Sequence, residues 1–154
     1  MNNSEKEFAA RLVGEKLFDI TCEAEILDVQ FGTLVLHGMG LTRIIKNGDI
    51  LVSTLDYQSW DGVDSRSNDE LKNIERFRKD IVGGAVVSAD VNEVNDLRVT
   101  LDNGVIIECL IANGYAHFSD EREQWVLFEK NDREKRTFLT VYNKSCELEY
   151  LRSH

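Results

Sequence analysis

Leu97-Arg98-Val99-Thr100-Leu101-Asp102-Asn103-Gly104-Val105-Ile106-Ile107 reads as two strands and the turn between them. Leu97, Val99 and Leu101 fall on one side of an extended chain, and Arg98 and Thr100 on the other. This period-two pattern belongs to an antiparallel sheet covered on one face. Asn103-Gly104 makes the turn, because both residues tolerate positive φ. An earlier stretch has the same order, Leu27-Asp28-Val29-Gln30-Phe31-Gly32 and then Leu34-Val35-Leu36. Upstream of each stretch lies a helical pattern closed by glycine, Leu12-Val13-Gly14 and, 69 residues later, Ile81-Val82-Gly83. A short strand pattern follows each glycine, around 17–21 and 85–89, and a last strand, Ile50-Leu51-Val52, parallels Trp125-Val126-Leu127. This ordered recurrence predicts an internal duplication.

The expected fold is therefore α+β: two diverged repeats, each a helix followed by an antiparallel sheet, packed as one compact protein. Residues 1–55 form the first repeat, 56–68 an acidic connecting loop, and 69–154 the second repeat with a C-terminal hairpin. Ser4 and Glu7 fit a capping box ahead of an apolar stripe of Phe8, Ala9, Leu12 and Val13. In the second helix Asn68 or Asp69 caps, and Leu71, Ile74, Phe77 and Ile81 form the buried stripe. Thr137, Leu139 and Val141 alternate with Phe138, Thr140 and Tyr142, and Cys146, Leu148 and Tyr150 with Glu147 and Glu149. Asn47-Gly48, Asn113-Gly114 and Asn143-Lys144 mark further turns. The chain has no proline, so sharp loops fall to Gly, Asn and Asp.

Charge narrows the function classes. Against 18 basic residues stand 28 acidic ones, a formal charge of −10. Binding phosphate backbones needs a cationic face, so nucleic acid is not an expected direct partner, and neither is an anionic membrane surface. A basic protein partner is favoured, since an acidic surface accelerates its arrival. No apolar run approaches the roughly 20 residues of a membrane helix. Met1–Glu7 lacks the basic region and apolar core of a secretory leader, so the cytoplasm is the expected compartment. Cys22, Cys109 and Cys146 are too widely spaced for a zinc knuckle or redox pair and read as reduced core thiols.

Catalytic motifs are missing. There is no Walker-type loop, no G-x-G-x-x-G and no G-x-S-x-G. His37-Gly38-Met39-Gly40 is followed by the strand pattern Leu41–Ile45, whereas a phosphate cradle needs a helix N-terminus. A fold can bring His37 and His117 together, but Cys109 and Asp120 offer no recognised third-ligand spacing. No catalytic residue, metal or cofactor is expected, and the chain reads as a non-enzyme. Trp125, in the apolar run Trp125–Phe128, reads as core.

One segment stands apart. From Asp56 to Glu70 there are five acids and one base, with Tyr57 and Trp60 interleaved. Asp56, Tyr57, Trp60, Asp61, Asp64, Asp69 and Glu70 are the candidate partner-binding residues. Trp and Tyr bury large area at low entropy cost, and carboxylates around them pair with Arg and Lys of a basic partner. The alternative is a solvated loop whose Trp60 tucks back onto the core. Two further acidic groups, Asp90 to Glu108 and Asp120 to Glu123, read as solvated turns and polar strand faces.

The set Ile81-Val82-Gly83, Leu97 to Gly104 and Glu123-Gln124-Trp125-Val126-Leu127-Phe128 resembles immunity proteins of contact-dependent growth inhibition and polymorphic-toxin systems, mostly over 80–130. The resemblance implies a protein that binds a cognate toxin domain in the cytoplasm, a basic nuclease such as a ribonuclease, and blocks its active-site face. The other readings are a protein-binding adaptor or regulatory module, and a small-ligand domain or unrecognised enzyme with a deep polar pocket.

Overall fold

The computed structural model describes residues 1–112, 122–130 and 136–151. Helix α1 (Asn3–Ala10) precedes strands β1 (Asp19–Glu23), β2 (Ile26–Gln30), β3 (Leu34–Gly38), β4 (Leu41–Lys46) and β5 (Asp49–Ser53). A 3-10 turn over Thr54–Ser59 leads to α2 (Asp69–Ile81). Then follow β6 (Val86–Val91), β7 (Leu97–Leu101), β8 (Val105–Leu110), β9 (Glu123–Glu129), β10 (Arg136–Tyr142) and β11 (Cys146–Leu151). The class is α+β, with antiparallel strands in two sheets. One sheet has the order β1-β2-β3-β9-β10-β11 and the other β5-β4-β8-β7-β6.

Each sheet draws strands from both halves of the chain. The segment 1–55 does not keep its strands to itself: β1 to β3 lie in the six-stranded sheet, while β4 and β5 pair with β8 of the other. One buried cluster joins the two sheets, with Ile20, Leu27, Leu36, Trp125 and Leu127 from the first and Ile44, Val52, Leu97, Val99 and Ile107 from the second. Side chains of this size each contribute roughly 1.5–3 kcal/mol when fully buried. The helices close the sides. Helix α2 packs against β1 and β5, an edge strand of each sheet, and α1 packs against β6 and against β10 and β11. Phe8, Leu12, Ile74 and Ile81 carry the helices into the common core.

Several local expectations hold and others shift. Asn68 caps α2, its side chain accepting from Leu71 N at 2.9 Å. The α1 capping box is Asn2 with Glu5, not Ser4 with Glu7: Glu5 N donates to Asn2 Oδ1 at 2.8 Å, and Asn2 N to Glu5 Oε1 at 2.7 Å. Asn caps as well as Ser, and starting the helix there leaves Val13 exposed beyond its end. Gly14 and Gly83 both take positive φ, +89° and +101°. The chains after them pair reciprocally: Gly14 N donates to Val86 O and Gly83 N to Leu17 O, while Val86 N donates to Glu15 O and Leu17 N to Gly84 O, each at 2.8 Å. His37-Gly38-Met39-Gly40 is the corner where the chain leaves one sheet for the other, with Met39 N and Gly40 N both donating to Gln124 O.

Candidate functional site

The acidic segment after β5 is an ordered knuckle. Thr54 ties its base to the corner, its hydroxyl accepting from Thr42 N at 3.0 Å and donating to Gly40 O at 2.8 Å. Ser59 Oγ donates to Asp56 O and accepts from Asp69 N at 2.7 Å, joining the 3-10 turn to the start of α2. Trp60 Nε1 donates to Asp64 O at 2.8 Å, and the indole stacks on Tyr57 with centroids 5.8 Å apart. Asp61 Oδ1 accepts from Val63 N and Asp64 N, and Asp64 Oδ1 accepts from Arg66 N. These are Asx turns, which hold a loop without help from a regular element. The two backbone donors hold the Asp61 carboxyl below its usual value.

The knuckle presents apolar groups to water. Leu55 is 58% exposed, Trp60 41% and Val63 88%. Asp61, Asp64 and Asp69 are exposed around them, and Asp56 and Tyr57 are half-buried. Trp60 therefore does not tuck into the core. Its own loop holds it at the surface.

Glu70 departs from the expected set. It is 0% exposed, and neither carboxyl oxygen has a hydrogen-bond partner. Burial, then the nearby Asp56 and Glu25 carboxylates, push its carboxyl up to about 8. At neutral pH it is protonated, contributes no negative charge and cannot touch a partner. The segment's charge is correspondingly less negative than its count of acids implies.

The other candidates resolve differently. His37 Nε2 lies 3.2 Å from Asp28 Oδ2, and its ring meets Phe128 edge-on at 5.0 Å. Burial alone raises the Asp28 carboxyl, but hydrogen bonds from His37 and Gln30 outweigh it and hold it below its usual value. His117 and Asp120 lie outside the described residues, as do Asn113-Gly114 and Glu121. Among the described residues no group of His, Cys, Asp and Glu is placed to hold a metal ion. Burial pushes the Cys109 thiol up to about 12 and, helped by Glu70 and Glu75, the Cys22 thiol to about 11. Such thiols are poor nucleophiles. Glu108, assigned to a solvated face by sequence, is nearly buried between Arg43 (3.0 Å) and Arg98 (3.5 Å).

Sequence reasoning missed Leu55 and Val63, whose exposure in a loop has no periodic signal. No family model, curated protein or solved structure matches this chain, so its function has to be read from its own surface.

Proposed function

We propose that this chain is a non-catalytic immunity protein, which captures a basic toxin domain by docking the knuckle of residues 53–69 against the toxin's cationic face. The observation that carries the reading is the exposure of Leu55, Trp60 and Val63 on a loop whose polar groups are engaged in holding its own shape. A preorganised apolar anchor avoids the ordering cost of binding, and its flanking carboxylates Asp61, Asp64 and Asp69 supply charge complementarity. The cytoplasm is the compartment in which such capture takes place.

The same proposal includes an ancestral duplication. Matching α1 with α2 and β1 to β5 with β6 to β10 turns the strand order β1-β2-β3-β9-β10 into β6-β7-β8-β4-β5, the order of the second sheet. The reciprocal bonds around Gly14 and Gly83 exchange under the same 69-residue shift. This matching equates β4, not β5, with β9. A scaffold built this way leaves the long loop between the repeats free to carry function.

The test is titration of the protein with the toxin domain encoded beside it. A 1:1 complex is expected, with an association rate that falls as salt rises. Trp60→Ala with Val63→Asp should weaken it at least a hundredfold, hot-spot behaviour of about 3 kcal/mol. No complex at low salt, or one indifferent to the double variant, ends the reading.

A further inference from the structure

The outer faces of the two sheets share part of one plan and differ at an edge. Across the five-stranded sheet one register row reads Asp90, Arg98, Glu108, Arg43 and Ser53. Its charges alternate in sign, and Glu108 is clasped by both arginines. The neighbouring row of that face, Thr100, Ile106, Ile45 and Ile50, is largely apolar. Across the six-stranded sheet two rows run side by side. One is Gln30, Val35, Phe128, Phe138, Glu149, and the other is Asp28, His37, Val126, Thr140, Glu147.

Under the strand matching proposed above, Arg98 corresponds to Asp28, Glu108 to His37 and Arg43 to Val126. The Arg98–Glu108–Arg43 centre is thus replaced by the Asp28–His37 contact and Val126, and the six-stranded sheet adds a further strand, β11, beyond Phe138 and Thr140. Phe128 and Phe138 stack with centroids 5.0 Å apart, and His37 abuts Phe128. Next to Phe138, on edge strand β11, stand Glu147 and Glu149. Among the described residues neither makes an ion pair, and the neighbouring Glu147 carboxylate raises the Glu149 carboxyl. Arg136, at the start of β10, is already engaged.

We propose that the outer face of the six-stranded sheet is a second docking surface, and that its occupant is an arginine-bearing segment of a partner protein, with a guanidinium received between Glu147 and Glu149 beside the Phe128–Phe138 stack. A planar guanidinium satisfies both requirements of this margin, since it pairs with carboxylates and stacks on aromatic faces; an ammonium does only the first well. The inference shares with the proposed function only the sign of the partner's charge, and it takes the sheet comparison from the duplication.

The experiment uses a tri-arginine amide peptide as probe, titrated into the full chain at low salt and followed by backbone NMR. Perturbations are expected at Phe128, Phe138, Glu147 and Glu149. Glu147→Gln with Glu149→Gln, both surface changes, should weaken binding about tenfold, Trp60→Ala should leave it unchanged, and tri-lysine should bind several-fold more weakly. Shifts spread over all acidic surfaces, shifts confined to 53–69, undiminished binding by the double variant, or equal binding of tri-lysine each overturn it. Because no toxin enters the experiment, failure to find a toxin partner and failure of this face remain separate results.

Discussion

Glu70 is the residue at which sequence and environment disagree most. In the sequence it is one more acid beside a Trp and a helix start. In the fold it is sealed under the knuckle with no donor, facing Asp56 and Glu25. Its folded pKa, about 8, lies above the ordinary glutamate value of 4.5. Below about pH 4.5 both states are protonated and there is no penalty. Between about 4.5 and 8 the unfolded chain ionises while the folded one holds its proton, so stability falls as pH rises and then levels off. Glu70→Gln should therefore gain on the wild type by about 2–4 kcal/mol between pH 5 and pH 8, at about 1.4 kcal/mol per unit. Urea unfolding at several pH values reads this difference, and a pH-independent difference refutes it. Trp125 was the easier case, since the apolar run Trp125-Val126-Leu127-Phe128 already marked it as core. It is 0% exposed with Nε1 donating to Asn95 O at 2.9 Å, and Trp125→Ala should cost about 3–5 kcal/mol by chemical denaturation.

At the scale of elements, alternation and turn chemistry identified the strands well, because side-chain period depends only on local backbone geometry. Asn47-Gly48 and Asn103-Gly104 both sit at strand joints. The start of α1 was less legible, since Asn2 and Ser4 are both competent caps and the packing of Phe8 and Leu12 selects between them. Asn68→Ala should cost about 1–2 kcal/mol, because its side chain serves Leu71 N and Ser65 O in a buried setting. Gly14→Ala and Gly83→Ala should each cost about 1 kcal/mol, and nearly the same amount. An added Cβ meets nothing within 4 Å at either site, so only the left-handed backbone is strained. Unequal losses in thermal melts would show that the two turns are not equivalent. In the knuckle, Asp61→Ala removes the acceptor of two backbone N–H groups. It should lower partner affinity more than it lowers stability, measurable by calorimetry and melting on one sample.

For the whole molecule, the exchange of strands between halves has a direct consequence. Residues 1–67 alone leave β3 without β9 and β4 without β8, so both sheets of that fragment end in apolar edges. The fragment should show no dispersed amide spectrum and no cooperative melt, whereas the full chain should unfold in one transition. A folded fragment would mean that the first half builds a sheet of its own, as its sequence suggests.

The sequence by itself determined the α+β class, the strand and turn grammar, most of the buried stripe of each helix (though not Val13 or Leu71) and the location of an acidic, aromatic segment between the two halves. These follow from periodicity and local propensity, which act over a few residues. Only the tertiary structure decided that the strands are shared between sheets, that Glu70 is buried while Val63 is not, and that Glu108 is clasped by two arginines while Glu149 stands opposite Phe138. The reason is physical: pairing across sheets joins residues far apart in the chain, and a carboxylate's charge and exposure depend on those distant neighbours rather than on the residues beside it.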